Sequence, residues 1–222
     1  MSTLDARTLP VGAHLSADVV VIGTGPSGMT VARELADTGR DILLLEGGSL
    51  DVDAELQDTL KGDAHSQRAE PLEKARQKGL GGASHQWGGR TAPFSPLDFE
   101  ARPGLGIMEP WPFSRQDLEP HYRRAAQALD LRRYEWDAAT ALPGDPEHLL
   151  GRGQDIVEDT GLWRFSPPVR FGDVYRRELD HRANVRLLHH ANVVRLITEE
   201  RADAGDACLL YTSDAADEED SV

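Results

Sequence analysis

The chain has almost no cysteine: Cys208 is the only one among 222 residues. The sequence therefore offers neither a disulfide framework nor a metal site built from several cysteines. It also has no run of about 18 apolar residues, which argues against a membrane-spanning helix. The N-terminus lacks the charged start, apolar stretch and small-residue cleavage site of a secretory signal, so we expect a cytoplasmic protein.

Basic residues are also scarce. The chain has 24 Lys and Arg against 38 Asp and Glu, which gives a net charge of −14 at pH 7. Proteins that bind nucleic acid need clustered Lys and Arg, so we expect no nucleic-acid partner. Apolar residues make up 39% of the sequence. That share is enough for a core, in a chain long enough for one large domain or one domain with part of another.

The last fifteen residues, Cys208–Val222, differ from the rest in composition. They carry five acidic residues and no basic one, which is typical of a solvated acidic tail. The letters CLLYTSDAADE also resemble the conceptual translation of a transposon-derived sequencing adapter. We therefore expect residues 208–222 to be a non-native tail and the chain to be truncated, and a segment of that origin carries no information about the fold.

The clearest motif is a glycine-rich turn between a predicted strand and a predicted helix. The β-branched run Asp18–Ile22 indicates a strand buried on both faces, and the apolar residues of Ser27–Thr38 recur at helical spacing. The turn has the pattern G-x-G-x-x-G, formed by Gly23, Gly25 and Gly28. In a dinucleotide-binding turn these glycines allow, in order, the tight turn, the approach of a pyrophosphate and close helix packing. We expect the helix N-terminus, at Pro26 and Ser27, to bind that pyrophosphate.

A second predicted strand, Asp41–Leu45, ends at Glu46, eighteen residues after Gly28. A carboxylate here is expected to accept hydrogen bonds from the ribose hydroxyls of adenosine and to repel a 2′-phosphate, which disfavours NADP. The fingerprint alone does not distinguish FAD from NAD. Its position near the start of the chain and a second glycine-rich segment downstream favour FAD.

That second segment, GLGGASHQWGGR, covers Gly79–Arg90 and has neither helical nor strand periodicity. Glycine is costly in an ordered chain because it loses more backbone freedom on folding than any other residue. We therefore expect a neighbouring group to approach this backbone closely.

The motif LEGG, the segment Gly79–Arg90 and the stretch from Pro96 to Leu131 follow one another in the order seen in the glucose–methanol–choline oxidoreductases. Over about residues 17–200 the chain resembles the bacterial branch of this family. The resemblance implies an α/β fold, a Rossmann-like FAD-binding domain of the glutathione-reductase type, incomplete at its C-terminus. It also implies oxidation of the CH–OH group of an alcohol or sugar, with hydride transfer to flavin N5 and an unidentified electron acceptor.

The resemblance also implies which residues lie against FAD. Besides the fingerprint and Glu46, these are Gly47, Gly81, Gly82, Ser84, Trp87, Gly88 and Val193, the last through its backbone at the adenine edge. Some sugar-oxidising relatives attach the flavin covalently through a histidine immediately before the loop tryptophan. Here that position is Gln86, and the nearest histidine is His85, so FAD is expected to bind non-covalently.

No catalytic residue is assigned. In the resembled family the base is a histidine from the far C-terminal region, so we expect the chain as given to be inactive. His189 and His190 end a predicted strand, Val185–His189, but no acidic or cysteine partner stands at ligand spacing in the sequence. A structural role is the commoner one for such a pair, and we assign them none. A further strand is predicted at Val193–Thr198.

The predicted organisation has three segments: an N-terminal extension at 1–16, the FAD-binding domain at 17–207 and the tail at 208–222. Two other functions stay open. An NAD-binding oxidoreductase of another family would share the first fingerprint but would not account for Gly79–Arg90. A non-catalytic nucleotide-binding module would require the tail to be genuine.

Overall fold

The computed structural model describes residues 1–62, 70–142, 161–200 and 207–210. Its contacts divide the chain into two compact units, one of residues 1–86 and 170–222 and one of residues 87–169. The strands are β1 (Ser2–Asp5), β2 (Val19–Ile22), β3 (Ile42–Leu45), β4 (Arg90–Thr91), β5 (Arg164–Phe165), β6 (Val185–His189), β7 (Ile197–Glu200) and β8 (Ala207–Leu210). The helices are α1 (Pro26–Ala36), α2 (Ala54–Asp58), α3 (Leu72–Ala75), α4 (Arg115–Ala128), α5 (Ala138–Ala141) and α6 (Phe171–Leu179).

The first unit is built on a four-stranded parallel sheet with the order β1-β6-β3-β2. Every residue of β3 is buried, and three of the five residues of β6 are buried beside it. Met29 and Ala32 of α1 and Leu179 of α6 are almost completely buried. Strand β3 is a continuous apolar run because it is covered on both faces.

Strand β2 corrects one expectation. It was predicted to be buried on both faces, but it stands at the edge of the described sheet, and its only partner there is β3. Its residues are half-buried, and Ile22 is 47% exposed. Burial follows position in the sheet, which a run of valines does not reveal.

The segment after β6 also differs from its prediction. The strand expected at Val193–Thr198 begins at Ile197 instead and pairs antiparallel with β8. His190 has a φ of 56°, which turns the chain out of the sheet direction. Ala191 and the half-buried Val193 then pack against a buried cluster that includes Leu45 and Leu188.

The two ends of the chain, predicted to be an extension and a tail, each contribute a strand. The expected N-terminal extension contributes β1 to the sheet. Residues 208–210 of the expected tail lie in β8, and residues 211–222 lie outside the described residues. None of the described helices is both long and apolar enough to cross a membrane.

Candidate cofactor-binding site

Three loops meet at the carboxyl end of the parallel sheet. They are the turn Gly23–Gly25 after β2, the turn Glu46–Gly48 after β3, and the segment Gly79–Ser84. The N–H of Gly23 donates to the carbonyl of Leu45 at 2.7 Å, and the N–H of Gly81 donates to the carbonyl of Thr24 at 3.1 Å. Parallel neighbours end at the same edge, so β2 and β3 deliver the first two loops side by side, where α/β proteins bind ligands.

The three fingerprint glycines differ in what surrounds them. Gly23 has a φ of 89°, which suits a glycine in a tight turn. A Cβ on Gly28 would lie 2.0 Å from the carbonyl oxygen of Gly23, so helix α1 packs directly against the turn. A Cβ on Gly25 would meet no atom within 4 Å. The space beside Gly25 is therefore open.

That open space lies at the N-terminus of α1. Gly25 is the N-cap residue, and no side chain caps the helix, whose first residue is Pro26. The first N–H groups of a helix have no partner within the helix and carry a partial positive charge. An uncapped helix start beside open space fits a pyrophosphate at the position predicted from Pro26 and Ser27.

The glycines of the second segment pack against the protein's own backbone. Gly81 has a φ of 93°, and a Cβ on it would lie 2.5 Å from the backbone nitrogen of Gly172 at the start of α6. A Cβ on Gly82 would lie 3.0 Å from the Cα atom of Gly25. The prediction attributed these glycines to a flavin ring and a diphosphate. In the structure, close packing against the backbone of Gly172 and Gly25 is enough to require glycine at both positions. Gly82 also lies beside the open position at Gly25.

Ser84 has a packing role that the sequence did not indicate. Its side chain is 1% exposed. The hydroxyl donates to the carbonyl of Gly81 at 2.7 Å and accepts from the N–H of Phe171 at 3.0 Å. Ser84 thus joins the second glycine segment to the start of α6, and a contact with FAD stays a prediction.

Glu46 ties the three loops together. The residue is 6% exposed. One carboxylate oxygen accepts from the N–H and the hydroxyl of Thr24, and the other accepts from the N–H groups of Gly48 at 2.8 Å and Gly79 at 3.2 Å. A carboxylate has about four lone-pair sites, so protein donors use all of them. A hydrogen bond from a ribose hydroxyl to Glu46 stays a prediction. It requires the ribose hydroxyl to replace one of these four protein donors.

Thr24 is the site residue that the sequence reasoning missed. It occupies the first variable position of G-x-G-x-x-G and is completely buried. Its hydroxyl and N–H both donate to Glu46. The only signal in the sequence is a threonine in the fingerprint turn together with a glutamate at the end of the next strand.

Replacing Glu46 by glutamine is expected to destabilise the fold. The amide would turn an NH₂ group toward two of the four donors and leave them unsatisfied, which costs about 1–3 kcal/mol per group. With two groups affected the loss is at least about 2 kcal/mol, and for a protein of this size we expect the melting temperature to fall by at least about 4–8 °C. Thermal unfolding followed by circular dichroism measures this, with Glu109→Gln at an exposed position as the control. Equal melting temperatures for the two variants would contradict the role of Glu46.

The remaining predicted residues divide between the two units. In the first unit, a Cβ on Gly47 would lie 2.3 Å from the side-chain oxygen of Asn192, so Gly47 packs against the segment after β6. Val193 lies near it, half-buried against the cluster already described. Trp87 and Gly88 belong to the second unit, where the indole N–H of Trp87 donates to the carbonyl of Val169 at 3.0 Å. Their place near the flavin stays a prediction.

The two residues that bear on covalent attachment are both bonded within the first unit. The Nε2 atom of His85 lies 2.6 Å from the carbonyl oxygen of Leu80. The amide of Gln86 donates to the side chain of Gln77 at 2.8 Å. Non-covalent binding of FAD stays a prediction.

Comparisons with known proteins give partial matches. No family model matches the chain. Among curated proteins, the 6‴-hydroxyparomomycin C oxidase of Streptomyces lividus is 31% identical over 127 residues, which are 51% of this chain and 23% of that protein. The paromamine 6′-oxidase of Streptomyces fradiae is 28% identical over 116 residues, 47% of this chain and 21% of that protein. The matches thus span less than a quarter of the length of these relatives.

Among solved structures, a fungal aryl-alcohol oxidase superposes on 89% of this chain with a TM-score of 0.50 and 19% identity. The superposed part is 42% of that oxidase. At this identity the match concerns the fold. The chain shares the α/β fold of this oxidase, in agreement with the Rossmann-like fold that the sequence predicted.

Proposed function

We propose that the chain is the FAD-binding part of an oxidoreductase that acts on the CH–OH group of an alcohol or sugar. The observation that supports a bound dinucleotide most directly is the uncapped start of α1, open at Gly25 and bordered by Gly82. The resemblance to the glucose–methanol–choline oxidoreductases favours FAD among the dinucleotides. The reaction class is supported by the two curated relatives, which are named as oxidases of hydroxyparomomycin C and paromamine.

In this proposal the described residues bind and orient the cofactor. Bound FAD supplies the redox chemistry by accepting a hydride from the alcohol carbon. The N–H groups at the start of α1 would hold its pyrophosphate. The hydrogen bonds that Glu46 accepts from Thr24, Gly48 and Gly79 keep the surrounding loops in place.

No general base is available at this site among the described residues. The carboxylate of Glu46 is enclosed by its four donors, and His85 is bonded to Leu80. We therefore propose that the 222-residue chain binds the cofactor without oxidising alcohols. Hydride abstraction needs a base within hydrogen-bond reach of the hydroxyl.

Titration of the chain with FAD, NAD⁺ and NADP⁺ tests the proposed cofactor. We expect FAD to bind with the highest affinity and NADP⁺ with the lowest, because the buried carboxylate of Glu46 at the end of β3 disfavours a 2′-phosphate. Isothermal titration calorimetry measures all three affinities. Denaturation after FAD binding is expected to release the flavin, since attachment is proposed to be non-covalent. NAD⁺ binding more tightly than FAD would instead support an NAD-dependent oxidoreductase.

A further inference from the structure

The structure brings together one aspartate and two histidines, residue types that commonly bind metals, from opposite ends of the described chain. β1 and β6 are parallel neighbours, and Asp5 pairs in register with His189. Both residues stand at the carboxyl ends of their strands, and His190 follows immediately. The acidic partner that the sequence did not reveal is therefore supplied by the N-terminal strand.

The backbone at His190 turns both imidazoles toward each other. Successive side chains of a strand point to opposite faces, but the φ of 56° at His190 breaks that alternation. The ring centroids of His189 and His190 are 4.6 Å apart, and their Nδ1 atoms are 2.7 Å apart. Histidine is among the residues that accept this left-handed conformation more readily than most.

The donor atoms lie close to the spacing of a coordination site. The Nδ1 atom of His190 lies 3.3 Å from Oδ1 of Asp5, and the ligand atoms of all three residues lie within 4.8 Å of one another. A tetrahedral ion with bonds of about 2.0–2.2 Å holds its donors roughly 3.3–3.5 Å apart. The carboxylate already has this separation from His190, and the two imidazoles need to open by less than about 1 Å.

The surroundings orient the three ligands. The guanidinium of Arg7 donates to both oxygens of Asp5, with Nη2 at 2.6 Å from Oδ2 and Nε at 3.0 and 3.2 Å from the two oxygens. The backbone N–H of Arg7 also donates to Oδ1 at 3.0 Å. Arg7 can stay bonded to the carboxylate while Oδ1 offers its remaining lone pair to an ion, and such bonds to a ligating carboxylate are common around metals. The side chain of His190 is 10% exposed and that of Asp5 is 22% exposed.

We propose that Asp5, His189 and His190 bind a divalent transition-metal ion, with zinc as the best match for two imidazoles and one carboxylate. The ion would link β1, which pairs in the described sheet only with β6, to the strand at its side. Water completes the coordination. The three residues are not among those assigned to the cofactor, but the N–H of His190 donates to the carbonyl of Gly48 at 2.9 Å, so the metal site adjoins the loop after β3.

Zinc titration of the chelator-treated chain tests the proposal. We expect one Zn²⁺ per chain in calorimetry, and a melting temperature raised by about 5 °C at a hundredfold excess over Kd. Asp5→Asn, His189→Gln and His190→Asn should each weaken binding at least tenfold. Asparagine at 190 tolerates the left-handed backbone. His121→Gln, at an exposed position in the second unit, is the control and should bind zinc as the unsubstituted chain does.

A second readout needs no substitution. Long-range ¹H–¹⁵N spectra of the zinc-loaded chain should show the Nδ1 atoms of His189 and His190 as the metal-bound nitrogens. Coordination through other histidines, undiminished binding in the site variants, or no binding of one equivalent below about 100 µM Zn²⁺ would each overturn the proposal. In that case the cluster is a hydrogen-bonded network only.

Discussion

Gly25→Val is expected to abolish FAD binding and to leave the fold intact. Gly25 has φ −63° and ψ 179°, an extended conformation that valine adopts without strain. A Cβ at this position meets no protein atom within 4 Å, but a branched side chain would fill the space that we assign to the pyrophosphate. We expect the Kd for FAD to rise at least about 100-fold, a loss of about 2.7 kcal/mol, with the melting temperature within about 2 °C of the unsubstituted chain.

The control for this variant is Gly104→Val. Gly104 also has open space at its Cβ position and no left-handed backbone, and it belongs to the second unit. Calorimetric titration with FAD compares the two variants, and circular dichroism verifies their fold. Unchanged FAD affinity in Gly25→Val would show that the pyrophosphate does not lie at the start of α1.

Gly28→Ala, in contrast to Gly25→Val, is expected to lower the stability of the fold strongly. In an unconstrained helix this change stabilises by up to about 1 kcal/mol, because alanine has the higher helix propensity. Here the new Cβ would lie 2.0 Å from the carbonyl oxygen of Gly23 and 3.1 Å from its carbonyl carbon. These are backbone atoms, so relief requires α1 to move away from the turn. We expect a loss of about 3 kcal/mol or more, measured as a lower denaturant midpoint.

Gly62→Ala provides the comparison for that measurement, because a Cβ there meets no atom within 4 Å. It should leave the midpoint nearly unchanged. A midpoint for Gly28→Ala at or above that of the unsubstituted chain would contradict the close packing of α1 on the fingerprint turn.

The fingerprint could be predicted from the sequence because its determinants are local. The turn at Gly23, the open position at Gly25 and the packing at Gly28 each depend on residues within a few positions of one another. The same holds for β3, whose apolar run marks the centre of a parallel sheet.

Other features depend on residues that are distant in sequence, and periodicity does not report on them. The need for glycine at 81 arises from Gly172 at the start of α6. The partner of His190 is Asp5, which a parallel pairing of β1 with β6 brings into place. The edge position of β2 is likewise a property of strand order. No local sequence pattern predicts these three features.

Backbone amide spectra of the ¹⁵N-labelled chain, recorded with and without FAD, test the placement of the cofactor most directly. FAD bound with its pyrophosphate at the start of α1 should shift the N–H signals of Ser27 and Gly28, and also that of Gly82, which packs against Gly25. The signal of Gly104 should not move. Saturable FAD binding that leaves Ser27, Gly28 and Gly82 unshifted would contradict the site proposed for this fold.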